Sequence, residues 1–157
     1  MAALTTCLWF DTQAEEAANH YGSIFEDCKI GNVTHYPEGG PGPAGTVMTV
    51  DFEIWGQKFV ALNGGPAFTF NEAVSFQVPC ATQDEVDYYW SKLSEGGEEG
   101  MCGWLKDKFG VSWQVVPNAL VELMTDPDTE KVARVMKAFG DMRKIDIAAV
   151  QAAAAGE

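Results

Sequence analysis

The sequence is poor in positive charge. It has 10 Lys and Arg residues against 23 Asp and Glu residues in 157 positions, and its net charge at pH 7 is −13. Binding to a phosphate backbone or to an anionic membrane needs a cationic face, which so few basic residues hardly supply. We therefore expect neither nucleic acid nor a membrane as a partner.

Long apolar runs are also lacking. No stretch of about eighteen apolar residues occurs, and the N-terminus has no basic segment followed by an apolar one. We therefore expect neither a membrane span nor a signal peptide, and a cytoplasmic location. The length and an apolar fraction of 46% fit one domain with one core.

Paired cysteines are absent as well. The four cysteines stand far apart with no CxxC pair and no histidine at a zinc-ligand interval: Cys7, Cys28, Cys80 and Cys102. We expect reduced, mostly buried thiols. Cys80 is the only one that the sequence places near a helix N-terminus, an environment that can lower the pKa of a thiol.

What the sequence does contain is an internal repeat. Thr12-Gln13-Ala14-Glu15 recurs as Thr82-Gln83-Asp84-Glu85, each time between a strand-like run and an amphipathic run. Each copy is a capping box, in which the threonine accepts a bond from the first helical turn and the glutamate reaches back. Two similar half-chains are predicted, and the groove that joined halves tend to leave is a natural place for a small ligand.

Both halves show the same order of elements, strand, helix and three strands. The first half has strands at 4–10, 28–36, 46–54 and 57–62, a helix at 13–25 and a glycine and proline loop at 37–45. The second half has strands at 73–79, 98–101, 102–109 and 111–117 and a helix at 83–94. A helix capped by Asp126-Pro127 and ending at Gly140, and another at 146–155, complete the prediction.

Four segments of the chain resemble a known family. They are Asn63-Gly64-Gly65-Pro66 with its continuation to Phe76, Gln83-Asp84-Glu85-Val86, Cys102-Gly103-Trp104-Leu105 with its continuation to Pro117, and Met142-Arg143-Lys144-Ile145. The sequence is similar there to the PhnB-like family, often labelled 3-demethylubiquinone-9 3-methyltransferase. That family belongs to the vicinal oxygen chelate, or glyoxalase and bleomycin-resistance, superfamily.

The resemblance implies an α+β fold in which paired βαβββ modules form an eight-stranded, cup-shaped sheet. Module one would span about 3–66, module two about 72–117 and a helical tail 118–157, all in one glyoxalase-like domain. A homodimer that binds a small organic molecule in the cup between the modules is the implied function, with the reaction unassigned.

The superfamily also implies positions for a metal ion. Its enzymes hold a divalent ion with His, Glu or Gln from the first, fourth, fifth and eighth strands. The corresponding positions here lie near Leu4 or Thr6, Ala61 or Asn63, Ala73 or Ser75, and Gln114. Of these only Gln114 is a plausible ligand, so we expect no metal and no cofactor. A metal-dependent lyase, isomerase or dioxygenase is the alternative.

Methyl transfer is not expected despite the family label. A methyltransferase of the usual type needs a nucleotide-binding βαβ unit with a glycine-rich turn directly after its first strand. Here the first strand ends at Phe10 and continues into Asp11-Thr12-Gln13.

The predicted ligand-binding residues come from strand alternation and family position. Thr6, Asn63 and Gln114 would orient the ligand and Trp104 would form an apolar wall. Asp51 and Glu53 are candidates for acid–base chemistry, although a solvated strand face explains both.

Overall fold

The computed structural model describes residues 2–157. The chain divides into two compact units, one extending to Phe70 and the other running from Asn71 to Glu157. Each unit contains a four-stranded sheet.

The first unit has the predicted βαβββ order. Its elements are β1 (Thr5–Phe10), α1 (Ala14–Ile24), β2 (Lys29–His35), β3 (Val47–Ile54) and β4 (Gln57–Asn63). The strand order is β1-β4-β3-β2, with β1 parallel to β4 and the other pairs antiparallel. Trp55 and Gly56 have φ angles of 49° and 81° and form the tight reversal between β3 and β4.

Helix α1 covers one face of this sheet. Its buried stripe consists of Ala14, Ala17, Ala18, Tyr21 and Ile24. The Tyr21 ring lies 5.8 Å from the Phe52 ring, which stacks on Phe59 at 4.9 Å. Because side chains alternate along a strand, neighbouring positions such as Asp51 and Lys58 lie on the opposite face.

The second unit repeats this topology. Its elements are β5 (Ser75–Cys80), α2 (Gln83–Ser94), β6 (Glu98–Glu99), β7 (Trp104–Lys106) and β8 (Ser112–Pro117). The order is β5-β8-β7-β6, again with one parallel pair, β5 and β8. The α+β fold of βαβββ modules, which the family resemblance implies and with which the repeat agrees, is therefore confirmed.

Three helices follow in the second unit: α3 (Asn118–Met124), α4 (Thr129–Gly140) and α5 (Ile147–Ala155). The sequence did not predict α3, and α4 begins later than an Asp126-Pro127 cap requires. Asp128 caps α4 by accepting from the backbone N–H groups of Glu130 and Lys131. The helices enclose a small core of Leu120, Val135, Ile145, Val150 and Ala154.

Gln83 ties this helical tail to α2. Its Nε2 donates to the Ile145 carbonyl and to Asp87 Oδ1, each at 3.1 Å, and its Oε1 accepts from the Ile147 N–H at 2.9 Å. Lys144 Nζ lies 2.7 Å from Asp87 Oδ1, and this contact lowers the pKa of the Asp87 carboxyl. Residue 83 therefore belongs to the repeated tetrapeptide and also anchors the tail.

Within residues 2–157, every helix is too short or too polar to cross a bilayer.

Candidate functional site

The start of α1 is built differently from the prediction. Its N-cap residue, Gln13, makes no side-chain cap bond, and Asn63 takes that role. Asn63 Oδ1 accepts from the Ala14 N–H at 2.8 Å, and its Nδ2 donates to the Val47 carbonyl at 3.1 Å. Because β1 and β4 run parallel with Phe10 opposite Asn63, the end of β4 lies beside the helix start.

The second capping box is largely as predicted. Thr82 Oγ1 accepts from the Glu85 N–H at 3.2 Å. Glu85 Oε2 accepts from the N–H of Ala81, one residue before the cap, at 2.5 Å. The prediction of a capping box was therefore wrong for the first copy, where Asn63 supplies the cap. In the second copy the threonine accepts and the glutamate reaches back, as predicted.

A cavity of about 960 Å³ lies at this end of the first unit, and we call it the strand-end cavity. Its walls come from the ends of β1, β2 and β4, the start of β3, the first turn of α1 and the loop 36–46. Apolar lining is provided by Trp9, Tyr36, Met48 and Leu62. A site of this size and character suits a small organic molecule.

Two glycines position the aromatic side chains of the cavity. A Cβ on Gly64 would lie 2.3 Å from the Trp9 ring, and a Cβ on Gly42 would lie 2.5 Å from the Tyr36 ring. Trp9 Nε1 donates to the Gly65 carbonyl at 2.8 Å, and Tyr36 Oη donates to the Asn63 carbonyl at 2.5 Å. The glycine-rich segments therefore hold two rings in place at the wall.

The charged side chains of the lining are mainly acidic. Asp11, Glu15 and Glu16 are the carboxylates, and His35 is the remaining titratable base. The lining contains no Lys or Arg. All three carboxylates are exposed and flank the start of α1.

Thr6 and Asn63 lie on the helix-covered face of the first sheet. Thr6 pairs with Phe59 and shares the face of Leu8 and Phe10, both buried. The Thr6 side chain therefore lies on the face that carries α1. Asn63 contributes to the strand-end cavity while its amide serves α1.

Trp104 and Gln114 lie on the face of the second sheet that its helix, α2, does not cover. They are register partners on β7 and β8, and Gln77 faces Gln114 from β5. Gln114 Nε2 donates to Ser75 Oγ at 2.8 Å. The structure thus brings these two predicted residues together, half-buried, on the face not covered by α2.

The same face carries further polar groups that the sequence did not single out. Ser112, two residues before Gln114, is 1% exposed and its hydroxyl has no hydrogen-bond partner. Lys106 pairs with Ser112 in register and forms an ion pair with Glu72. That pair lowers the pKa of the Glu72 carboxyl and raises the pKa of the Lys106 ammonium.

Asp51 and Glu53 lie on the exposed face of the first sheet. They line a second cavity of about 380 Å³ together with Lys29 and Lys58. Lys29 Nζ is 3.8 Å from Glu53 Oε1. Both carboxylates therefore lie near lysines on a solvated strand face. This position explains them without a role in acid–base chemistry.

The surroundings of Cys80 disfavour the ionised form of its thiol. It is fully buried, and desolvation together with the nearby Glu85 charge raises the pKa of its thiol to about 12. In the described part of the chain, no three His, Cys, Asp or Glu side chains lie grouped as a metal ion would require.

Sequence comparison connects these units to a family. The profile of the family described as 3-demethylubiquinone-9 3-methyltransferase matches residues 2–116. No curated protein matches the sequence significantly.

Solved structures with the same fold come from several bacteria. The PhnB protein of Bacillus cereus is 38% identical, with a TM-score of 0.67 over 74% of this chain and 99% of its own. Protein PA1353 of Pseudomonas aeruginosa is 20% identical, with a TM-score of 0.62 over 74% of this chain and 98% of its own. The fosfomycin resistance protein FosX of Listeria monocytogenes is 13% identical, with a TM-score of 0.51 over 78% and 97%. The last two show the shared fold alone.

Proposed function

Because this chain belongs to the PhnB-like family described as 3-demethylubiquinone-9 3-methyltransferase, within the glyoxalase and bleomycin-resistance superfamily, we propose that it binds a small organic molecule. The reaction, if the bound molecule undergoes one, is unassigned. The proposal rests on the geometry of the first unit rather than on the family description.

The observation that carries the proposal is the strand-end cavity. Ligand pockets in proteins have volumes of roughly 300–1,000 Å³ and are mostly apolar with a few polar groups. A volume of about 960 Å³ with Trp9, Tyr36, Met48 and Leu62 in the wall fits that description. The bonds from the Trp9 and Tyr36 side chains to backbone carbonyls hold both rings in place without a ligand.

Methyl transfer is not part of the proposal. Both sheets are mixed, with a single parallel strand pair each, and β1 leads through Asp11 and Thr12 into α1 without a glycine. The nucleotide-binding fold of a methyltransferase of the usual type needs a glycine-rich turn there, so that the backbone can approach the cofactor closely.

Trp104 and Gln114 remain predicted ligand contacts in the second unit. Their shared face, the Gln114 bond to Ser75 and the unpartnered hydroxyl of Ser112 support a polar binding surface there. If Gln114→Ala binds every identified ligand as well as the parent chain, Gln114 leaves the site.

The direct test is a thermal-shift screen of metabolites and antibiotics, followed by titration of each hit. We expect at least one hit to raise Tm and to perturb the Trp9 indole resonance. Met48→Trp, which fills the strand-end cavity, should abolish that binding, whereas Met136→Trp on the exposed side of α4 should not. Hits that bind Met48→Trp and the parent chain equally would contradict the proposed cavity.

Two further measurements separate binding from catalysis. Mass spectrometry of a recovered hit should show the molecule unchanged if the chain is a binding protein. Elemental analysis of protein purified without chelator tests the alternative function, a metal-dependent enzyme. A stoichiometric transition metal would favour that alternative. The cytoplasmic location predicted from the sequence stays a prediction.

A further inference from the structure

We infer that the strand-end cavity selects small organic cations, an amine or a quaternary ammonium group on an apolar body, and disfavours anions. This inference rests on the proposed function, because it names the chemical class of the ligand for the same cavity.

The first argument concerns charge. Three carboxylates, Asp11, Glu15 and Glu16, line the cavity and no Lys or Arg does so. An anion entering this cavity would approach three like charges with no basic partner other than His35, in a chain whose net charge is −13. A cation would gain from each of these carboxylates.

The second argument concerns the N-terminus of α1, which would otherwise attract an anion. The positive end of a helix dipole and its free N–H groups favour negative charge. Here the Ala14 N–H already donates to Asn63 Oδ1, and Glu15 and Glu16 occupy the first turn. The side chains of Asn63, Glu15 and Glu16 therefore offset the positive potential at the start of α1.

The third argument concerns the aromatic wall. Trp9 and Tyr36 are held at the cavity by their bonds to backbone carbonyls and by the absence of a Cβ on Gly64 and Gly42. Aromatic rings attract organic cations through the negative potential of their faces, and indole does so best. Carboxylates at the rim and aromatic rings in the wall favour the same sign of ligand charge.

The test compares three probes that share one tert-butyl-like body and differ in charge. Choline is the cation, neohexyl alcohol is its neutral counterpart with carbon in place of nitrogen, and tert-butylacetate is the anion. Titrations followed by the Trp9 indole resonance should show choline binding about tenfold more tightly than neohexyl alcohol, with tert-butylacetate weakest. Choline binding should weaken as salt is added, whereas binding of the alcohol should not.

Charge variants provide the matched controls. The double variant Glu15→Gln and Glu16→Gln should weaken choline binding about threefold or more while leaving neohexyl alcohol unchanged. Glu130→Gln, which removes one exposed negative charge on α4, should change neither affinity.

The outcomes distinguish the two proposals. If neohexyl alcohol or tert-butylacetate binds as tightly as choline, or if the hits of the screen are anions, the cation inference is overturned and ligand binding stands. If none of the three probes and no compound of the screen perturbs Trp9, both fail.

Discussion

Asp107 is a buried carboxylate that closes the β7–β8 turn. It is 2% exposed, and its Oδ1 accepts from the N–H groups of Phe109 at 2.9 Å and Val111 at 3.0 Å. Its Oδ2 accepts from Trp113 Nε1 at 2.9 Å. Gly110 separates the two strands predicted from the sequence, but the bond to Trp113 depends on where the strand directs the indole.

Removing that carboxylate should destabilise the second unit. Asp107→Ala leaves three donors without their partner, so we expect the free energy of unfolding to fall by about 3 kcal/mol. Asp107→Asn keeps one acceptor and should cost less. Urea denaturation measures both, with the exposed Asp141→Ala as a control that changes stability by less than about 0.5 kcal/mol. An Asp107→Ala variant as stable as that control would contradict this role.

Cys80 provides a prediction about pH. Its thiol has a pKa raised to about 12 by burial and by Glu85, whereas an unfolded thiol ionises near pH 8.5. Above that pH the unfolded chain loses a proton that the folded chain keeps, so stability must fall as pH rises towards the folded pKa.

We therefore expect the urea midpoint of the parent chain to drop more between about pH 8 and pH 10.5 than that of Cys80→Ala. The difference between the two drops isolates the thiol from the lysines and tyrosines that titrate in both proteins. Equal drops would show that the Cys80 thiol ionises normally in the folded chain.

At the scale of elements, the two copies of the repeated tetrapeptide have diverged in their hydrogen bonds. Thr82 caps α2, whereas α1 is capped by Asn63. Asn63 accepts a hydrogen bond from the N–H of Ala14, 49 positions away in the sequence. Local sequence shows only where a helix can begin. A partner supplied by a neighbouring strand depends on register, which the first copy does not reveal.

This divergence gives a matched set of substitutions. Thr82→Ala should lower the free energy of unfolding by about 1 kcal/mol, since it removes a side-chain cap. Thr12→Ala should change it by only a few tenths, because Asn63 supplies the cap of α1 instead. Asn63→Ala should cost about 2 kcal/mol, as both the Ala14 and Val47 bonds are lost. Chemical denaturation compares the three variants. If Thr12→Ala loses as much free energy of unfolding as Thr82→Ala, Thr12 also caps its helix and the first capping box exists.

Part of the candidate site could be predicted from the sequence. Trp104 and Gln114 were predicted from strand alternation and family position, and the register of β7 and β8 places them side by side. The face of the sheet on which Thr6 lies depends on where α1 packs, which alternation along β1 alone does not reveal. The strand-end cavity was missed because its wall joins four strand ends with a loop of glycine and proline.

At the scale of the whole molecule, the duplication was the strongest signal in the sequence. It specified element type and order in both units, and the order β1-β4-β3-β2 recurs as β5-β8-β7-β6. The tail was harder to predict, because its helices bury few side chains and their placement depends on Gln83, a residue inside the repeated tetrapeptide.

The homodimer implied by the family leads to a prediction about salt. Two chains with a net charge of −13 each repel one another, and this repulsion is screened within a Debye length that shortens as salt rises. Dimerisation should therefore strengthen between about 20 mM and 500 mM sodium chloride, in contrast to an association driven by opposite charges. Sedimentation equilibrium measures it directly: a mass of 17.0 kDa at every salt concentration and protein concentration would show that the chain is a monomer. A dimer that dissociates as salt is added would show that the interface depends on ion pairs, which ten basic residues would have to supply.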